Sequence, residues 1–203
     1  MFQRLRYQWR TFRMRLIQKS NSKLSKNTVM FNIPASMEVC GRVCKNCYAH
    51  KFYKIYPNVL PAQELRLEAS KRDDFVQVVN GEISRLRNTP KYFRIHGSAG
   101  EFYNQKYIKK WVDVVKANPS LQFYVYTKRL KEFDFSALKA LNNIAVIDSL
   151  HYGVINFGTK EEAPKGAFIC PHQKGANVQC GEDCTWCMEK GKADKHGIFF
   201  IKH

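Results

Sequence analysis

The sequence contains no apolar run approaching the roughly 20 residues that a membrane-spanning helix requires. Its N-terminus has no apolar core of a secretory signal, because residues 1–26 are studded with arginine and lysine. Acidic residues are scarce, 17 against 34 basic ones, and none precedes Glu38. No internal repeat and no low-complexity linker is present. These absences exclude a membrane span and a repeat array. The expectation is a cytoplasmic protein of one domain, or one domain with an appendage, across 203 residues. An apolar fraction of 44% is enough for a real core.

The charge balance of +17 favours polyanionic partners, most often nucleic acid. Arg4, Arg6, Arg10, Arg13 and Arg15 open the chain, with Phe2, Tyr7, Trp9 and Phe12 interleaved. Basic groups in such a pattern neutralise phosphates while aromatics stack on bases. An amphipathic helix packed on the body of the fold gives the same pattern.

Seven cysteines in a reducing compartment point to metal rather than disulfides. Their spacing divides them three and four. Cys40, Cys44 and Cys47 form a C-x3-C-x2-C run directly after an apolar, strand-like segment. Three thiolates this close can hold three irons of a cubane cluster and leave the fourth iron open. With His50 they can instead make a closed Cys3His zinc site. Cys170, Cys180, Cys184 and Cys187 form the second group, whose last three repeat the first spacing. Four thiolates close a zinc site or ligate a complete four-iron cluster, and either metal would pin a tail with little apolar content.

Strands are predicted at 28–33, 92–96, 121–127 and 144–149, with short ones at 154–157 and 167–169. Helices are predicted at 62–87, with a break near 72–74, at 104–118 and at 133–141. Alternating strands and helices mean a parallel α/β arrangement. So few helices in a short chain imply an open, partial (β/α) barrel rather than a complete one. The expected organisation is a basic segment at 1–27, the partial barrel at 28–166 and a cysteine-rich metal-binding extension at 167–203.

Functional loops of parallel α/β folds lie at the carboxyl ends of strands. The cysteine loop follows the first predicted strand. A glycine turn, Gly97-Ser98-Ala99-Gly100 with Glu101, follows the second. Thr127, Lys128 and Arg129 follow the third, and Ser149 with His151 follows the fourth. All are expected at one mouth, where Tyr103, Tyr126 and Tyr152 either line the opening or pack. Glycines allow close backbone approach, and a carboxylate accepts from an ammonium.

The three-cysteine run resembles that of the radical S-adenosylmethionine (SAM) superfamily, except that Asn46 stands where an aromatic residue is usual. The run at 96–101 resembles that family's glycine-glycine-glutamate region. The resemblance implies a 4Fe-4S cluster on Cys40, Cys44 and Cys47, with SAM on the open iron. Gly97, Ser98, Gly100 and Glu101 would seat its amino group. Thr127, Lys128 and Ser149 would meet its carboxylate or ribose, or a substrate phosphate. It also implies an electron donor, and a second iron–sulfur cluster on the C-terminal cysteines, with zinc the alternative there.

The segments Phe31-Asn32-Ile33-Pro34-Ala35, Phe93 through Phe102, Phe123 through Lys128 and the tail ending Ile198-Phe199-Phe200 are similar to the phage-encoded gene product 88 family. That similarity implies action in a bacterial cytoplasm. Three readings follow: a radical SAM enzyme acting on a substrate such as nucleic acid; a metal-stapled basic protein that binds nucleic acid or a host nucleic-acid enzyme without catalysis; or a cluster protein that serves as a redox or oxidative sensor with no open-iron chemistry.

Overall fold

The computed structural model describes residues 15–19, 21–41, 47–149, 155–158, 161, 163, 165, 168–190, 192 and 198–201. Its centre is a five-stranded sheet of order β1-β2-β3-β4-β5. The strands are β1 (Gln18–Lys19), β2 (Thr28–Phe31), β3 (Tyr92–Ile95), β4 (Gln122–Thr127) and β5 (Ile144–Asp148). β2 through β5 run parallel in sequence order, and β1 pairs antiparallel on the edge. The fold is therefore mixed α/β with an open, mostly parallel sheet. Among the described residues the sheet does not close into a barrel.

Period-two alternation gives this sheet two apolar faces. Val29, Phe31, Phe93, Ile95, Phe123, Val125, Ile144 and Val146 point to one face and form the main core. Helices α3 (Val59–Lys71), α4 (Phe75–Ser84) and α5 (Gln105–Ala117) supply its other half. Trp111 sits at its centre, fully buried, with the rings of Phe31, Phe75 and Phe93 at 5.4, 5.6 and 5.7 Å. Truncating such a ring to alanine costs about 3–5 kcal/mol. α5 begins where Asn104 accepts from the Tyr107 amide at 2.8 Å.

The expected helical stretch at 62–87 forms two helices, divided at the expected break near 72–74. α3 ends where the buried Lys110 ammonium, on α5, caps the Ser70 and Arg72 carbonyls at 2.8 and 2.5 Å. Near the N-terminus, the Glu82 carboxylate accepts the Leu16 and Ile17 amides at 2.9 Å each, and Arg66 donates to the Leu16 carbonyl at 3.1 Å. These bonds hold the chain entering β1 against α3 and α4.

The second sheet face carries Tyr92, Arg94, Tyr124, Tyr126, Ala145 and Ile147, and the C-terminal segment covers it. Cys180 and Met188 pack with Tyr124 and Ala145, while Trp186, Cys187 and Ile198 pack with Ile147. A second, parallel sheet of order β6-β8-β7 joins β6 (Ile155–Gly158), β7 (Phe168–Ile169) and β8 (Ile198–Ile201). No helix among the described residues is long and apolar enough to cross a membrane.

Candidate functional site

The chain leaves β2 through Asn32 and Pro34 into the short helix α1 (Met37–Cys40), capped by Ser36. Gly41 closes α1 with φ at 65°. The left-handed φ favours glycine, and a Cβ there would lie 2.6 Å from Nη1 of Arg129, whose guanidinium would have to shift. Arg129 is 7% exposed and reaches across from the end of β4. Its Nη1 donates to the Val39 carbonyl at 3.2 Å, its Nε pairs with Glu132 at 2.7 Å, and its guanidinium lies over the Phe133 ring. Arg129, two residues beyond the end of β4, therefore ties down the helix that ends at Cys40.

Cys40 and Cys47 are half-buried, and Cys47 precedes helix α2 (Tyr48–Ile55). Cys44 lies outside the described residues, with the rest of 42–46. On α2, the Tyr53 hydroxyl donates to Gln63 at 2.7 Å and accepts from the Ala35 amide at 2.9 Å, which pins the loop. His50 Nε2 lies 3.1 Å from the Ala35 carbonyl. A carbonyl only accepts, so Nε2 carries the proton and Nδ1 is the ring atom left for a ligand.

The glycine turn lies across the end of β2. His96 adopts φ of 56°, and Gly100 adopts 105°. A Cβ on Gly100 would lie 2.9 Å from the Ile33 carbonyl oxygen, and one on Gly97 would lie 3.0 Å from Met30. Asn32 Oδ1 accepts the Ser98 amide at 2.7 Å. Buried His96 has its pKa pushed down to about 3 by loss of water, so the ring is neutral. Its Nε2 meets the Tyr107 hydroxyl at 3.1 Å.

Glu101 is 6% exposed. Its Oε1 accepts the Thr127 hydroxyl at 2.6 Å and the Phe102 amide at 3.0 Å, and Oε2 accepts the Lys128 amide at 2.8 Å. Burial raises its pKa, and these three bonds together with the Arg129 charge pull the other way. Thr127 Oγ1 in turn accepts the Arg129 amide at 3.1 Å, and the Ser149 amide donates to the Thr127 carbonyl at 2.9 Å. Gly97, Ser98, Gly100, Glu101, Thr127, Lys128 and Ser149 thus gather at the carboxyl ends of the strands, as sequence position suggests. The Glu101 carboxylate serves there as a clasp between the loops after β3 and β4.

The C-terminal cysteines belong to a different part of the molecule. Cys180 pairs with the segment that precedes β2: its amide donates to the Lys23 carbonyl at 3.0 Å, and its carbonyl accepts from Ser25 at 2.9 Å. Gly181, at φ of 93°, lets the chain turn so that its amide meets the Cys184 carbonyl at 2.9 Å. The Cys170 amide donates to the Phe199 carbonyl at 3.1 Å. Burial pushes the Cys187 thiol up to about 12, against a hydrogen bond with Tyr126, and Cys180, Cys170 and Cys184 add to the rise. Burial, then Cys170 and Cys184, also raise Cys180, while Arg94 and Lys23 lower it. Cys180 and Cys187 therefore lie within electrostatic reach of Cys170 and Cys184. Among the described residues, no three His, Cys, Asp or Glu side chains take a metal-ligating arrangement. Buried thiols this hard to ionise become thiolates once a cation shares the site.

Arg94 is the member of this region that sequence reading missed. Its guanidinium lies over the Tyr126 and Tyr124 rings, 5.0 and 5.7 Å from their centroids. The available signal was a single charge inside the apolar strand Tyr-Phe-Arg-Ile. Of the other expected residues, Tyr103 packs, with its hydroxyl 2.9 Å from Ser70 and its ring stacked on Tyr107. Tyr126 lies on the covered sheet face. Arg15 is exposed. Arg4, Arg6, Arg10, Arg13, His151 and Tyr152 lie outside the described residues.

The sequence model of the family described as "Gene product 88" matches residues 14–194. The "Gene 88 protein" of Mycobacterium phage L5 is 27% identical over 122 residues, covering 57% of this chain and 51% of the relative. That of Mycobacterium phage D29 is 24% identical over 122 residues, covering 57% and 50%. The chain spans about half the length of the curated relatives it matches. No solved structure matches.

Proposed function

The chain belongs to the gene product 88 family, and within that family we propose that it is an iron–sulfur protein of radical SAM type, phage-encoded and working in a bacterial cytoplasm. The observation that carries this reading is the tie from Arg129 to Val39. It brings helix α1, which ends at Cys40, to the strand end where the glycine turn and Glu101 lie. Cys40, Cys44 and Cys47 would hold a 4Fe-4S cluster, and a sheet with strands in sequence order suits an open (β/α) half-barrel. When bound, the cluster supplies one electron, taken from an external donor, to cleave the sulfonium C–S bond of SAM into methionine and a 5′-deoxyadenosyl radical, which removes a substrate hydrogen atom.

The chain's own residues shape the site. Arg129 orients the helix that carries Cys40. Gly97 and Gly100 let the turn approach β2 closely. The Lys128 side chain and the net charge of +17 recruit a phosphate-bearing substrate. Cys170, Cys180, Cys184 and Cys187 would hold a second cluster, or zinc, and Arg94 would offset thiolate charge. The test is anaerobic incubation with dithionite and SAM. Formation of 5′-deoxyadenosine, abolished in Cys44→Ser, supports the reading.

A second reading has its own observation. The Glu101 carboxylate and the Ser98 amide are both bonded internally, to Thr127, Lys128 and Asn32. On that basis the protein is a metal-stapled binder of nucleic acid without catalysis. Its sign is a steep salt dependence of binding that SAM does not alter, with no cleavage of SAM.

A further inference from the structure

Helix α2 begins directly after Cys47 and turns apolar groups outward. Ala49 is buried and Tyr53 is clamped to Gln63, so these two form its inner face. Phe52 and Tyr56 are 48% and 55% exposed, beside Ile55 at 55%. The Phe52 and Tyr56 rings are nearly parallel at 23°, with centroids 6.0 Å apart. That spacing makes the pair offset rather than face to face. His50, Lys51 and Lys54 are exposed on the same helix.

The electrostatics single out the partner. Between Glu38 and Glu64 the sequence has no acidic residue. Glu38 is itself paired with Lys71 at 2.7 Å. The helix itself thus joins exposed aromatics to cations and carries no carboxylate. Interfaces between proteins are depleted in lysine at their cores. Sites for single-stranded nucleic acid alternate basic groups with rings, because phosphates need the first and bases stack on the second.

We propose that α2 is a stacking platform for single-stranded nucleic acid, with Phe52 and Tyr56 facing bases and Lys51 and Lys54 facing phosphates. The proposal deepens the nucleic-acid part of the function above and rests on that part alone. A strand seated on α2 passes next to Cys47, which precedes the helix.

The test is fluorescence anisotropy of a labelled oligo(dT), about 15 nucleotides long, against the full chain at several salt concentrations. The Phe52→Ala/Tyr56→Ala variant should bind at least about ten-fold more weakly, with unchanged circular dichroism and metal content. The Phe52→Trp/Tyr56→Trp variant should restore binding, which separates stacking from a folding defect. In Lys51→Gln/Lys54→Gln the log–log salt slope should shrink by about 0.7 for each phosphate that is no longer neutralised. Parental affinity in the folded alanine variant overturns the platform. So does a drop in self-association in sedimentation without a change in oligo(dT) affinity, since α2 would then join two copies of the chain. If the parent chain fails to bind oligo(dT) at low salt, the nucleic-acid reading and the platform fall together. Only the platform falls if the parent binds and the variant matches it.

Discussion

Glu101 and Thr127, 26 residues apart, meet through a 2.6 Å hydrogen bond that is almost wholly buried. The Lys128 amide closes the same carboxylate from the other side. Removing it in Glu101→Ala leaves the buried Thr127 hydroxyl and the Phe102 and Lys128 amides without their acceptor, and stability should fall by about 1–3 kcal/mol. Burial raises the Glu101 pKa, so the native state holds this proton more tightly than the unfolded chain. Its stabilising effect is then full at low pH and is lost as pH rises from the ordinary carboxylate range through the raised value. Urea unfolding across that range, parent against Glu101→Gln, should show this segment vanish in the variant.

Arg129 links helix α1, which ends at Cys40, to the segment after β4, and under the proposed function its removal should be felt at the metal. In Arg129→Ala, the Val39 carbonyl loses its donor and Glu132 its partner, at a cost of about 1–2 kcal/mol, the half-exposed Glu132 limiting the ion-pair share. Iron content after reconstitution should fall toward that of the C-terminal site alone, and chemical iron analysis reads this directly.

Two glycines with left-handed backbones separate strain from collision. Gly100→Ala places a methyl 2.6 Å from Ile33 Cγ1. Gly175→Ala meets nothing within 4 Å and bears only its φ of 85°. The second change should cost about 1 kcal/mol and the first clearly more, measured by thermal unfolding.

Metal removal should act locally. Chelation, or Cys184→Ser, should expose amides of β7 and β8 to hydrogen exchange and open residues 175–190 to protease. The amides of β2 through β5 should stay protected, because their other face is held by the Trp111 core. Equal loss of protection in both regions would contradict a separate C-terminal staple.

Much of this fold could be read from the sequence because it is written locally. The stripe Tyr107, Ile108, Trp111, Val112 and Val115 marks the helix at 104–118, observed as Gln105–Ala117 between Asn104 and Asn118. The four parallel strands appear within a few residues of expectation, since each is a short apolar run after a turn. Two-residue β1 carries no period and exists through its pairing with Met30 and Val29. The cover on the second sheet face was equally hidden, because Cys180 bonds to Lys23 and Ser25 more than 150 residues earlier. At the site, the sequence supplies a carboxylate after glycines. Only the folded chain shows that Thr127 and Lys128 claim it.

The most direct test of the central claim is anaerobic purification with iron, sulfide and zinc analysis, followed by low-temperature EPR of the reduced protein with and without SAM. The account predicts about eight irons per chain, or four if zinc fills the C-terminal site, and a cluster signal that shifts when SAM is added. Zinc in stoichiometric amount with no iron would contradict it.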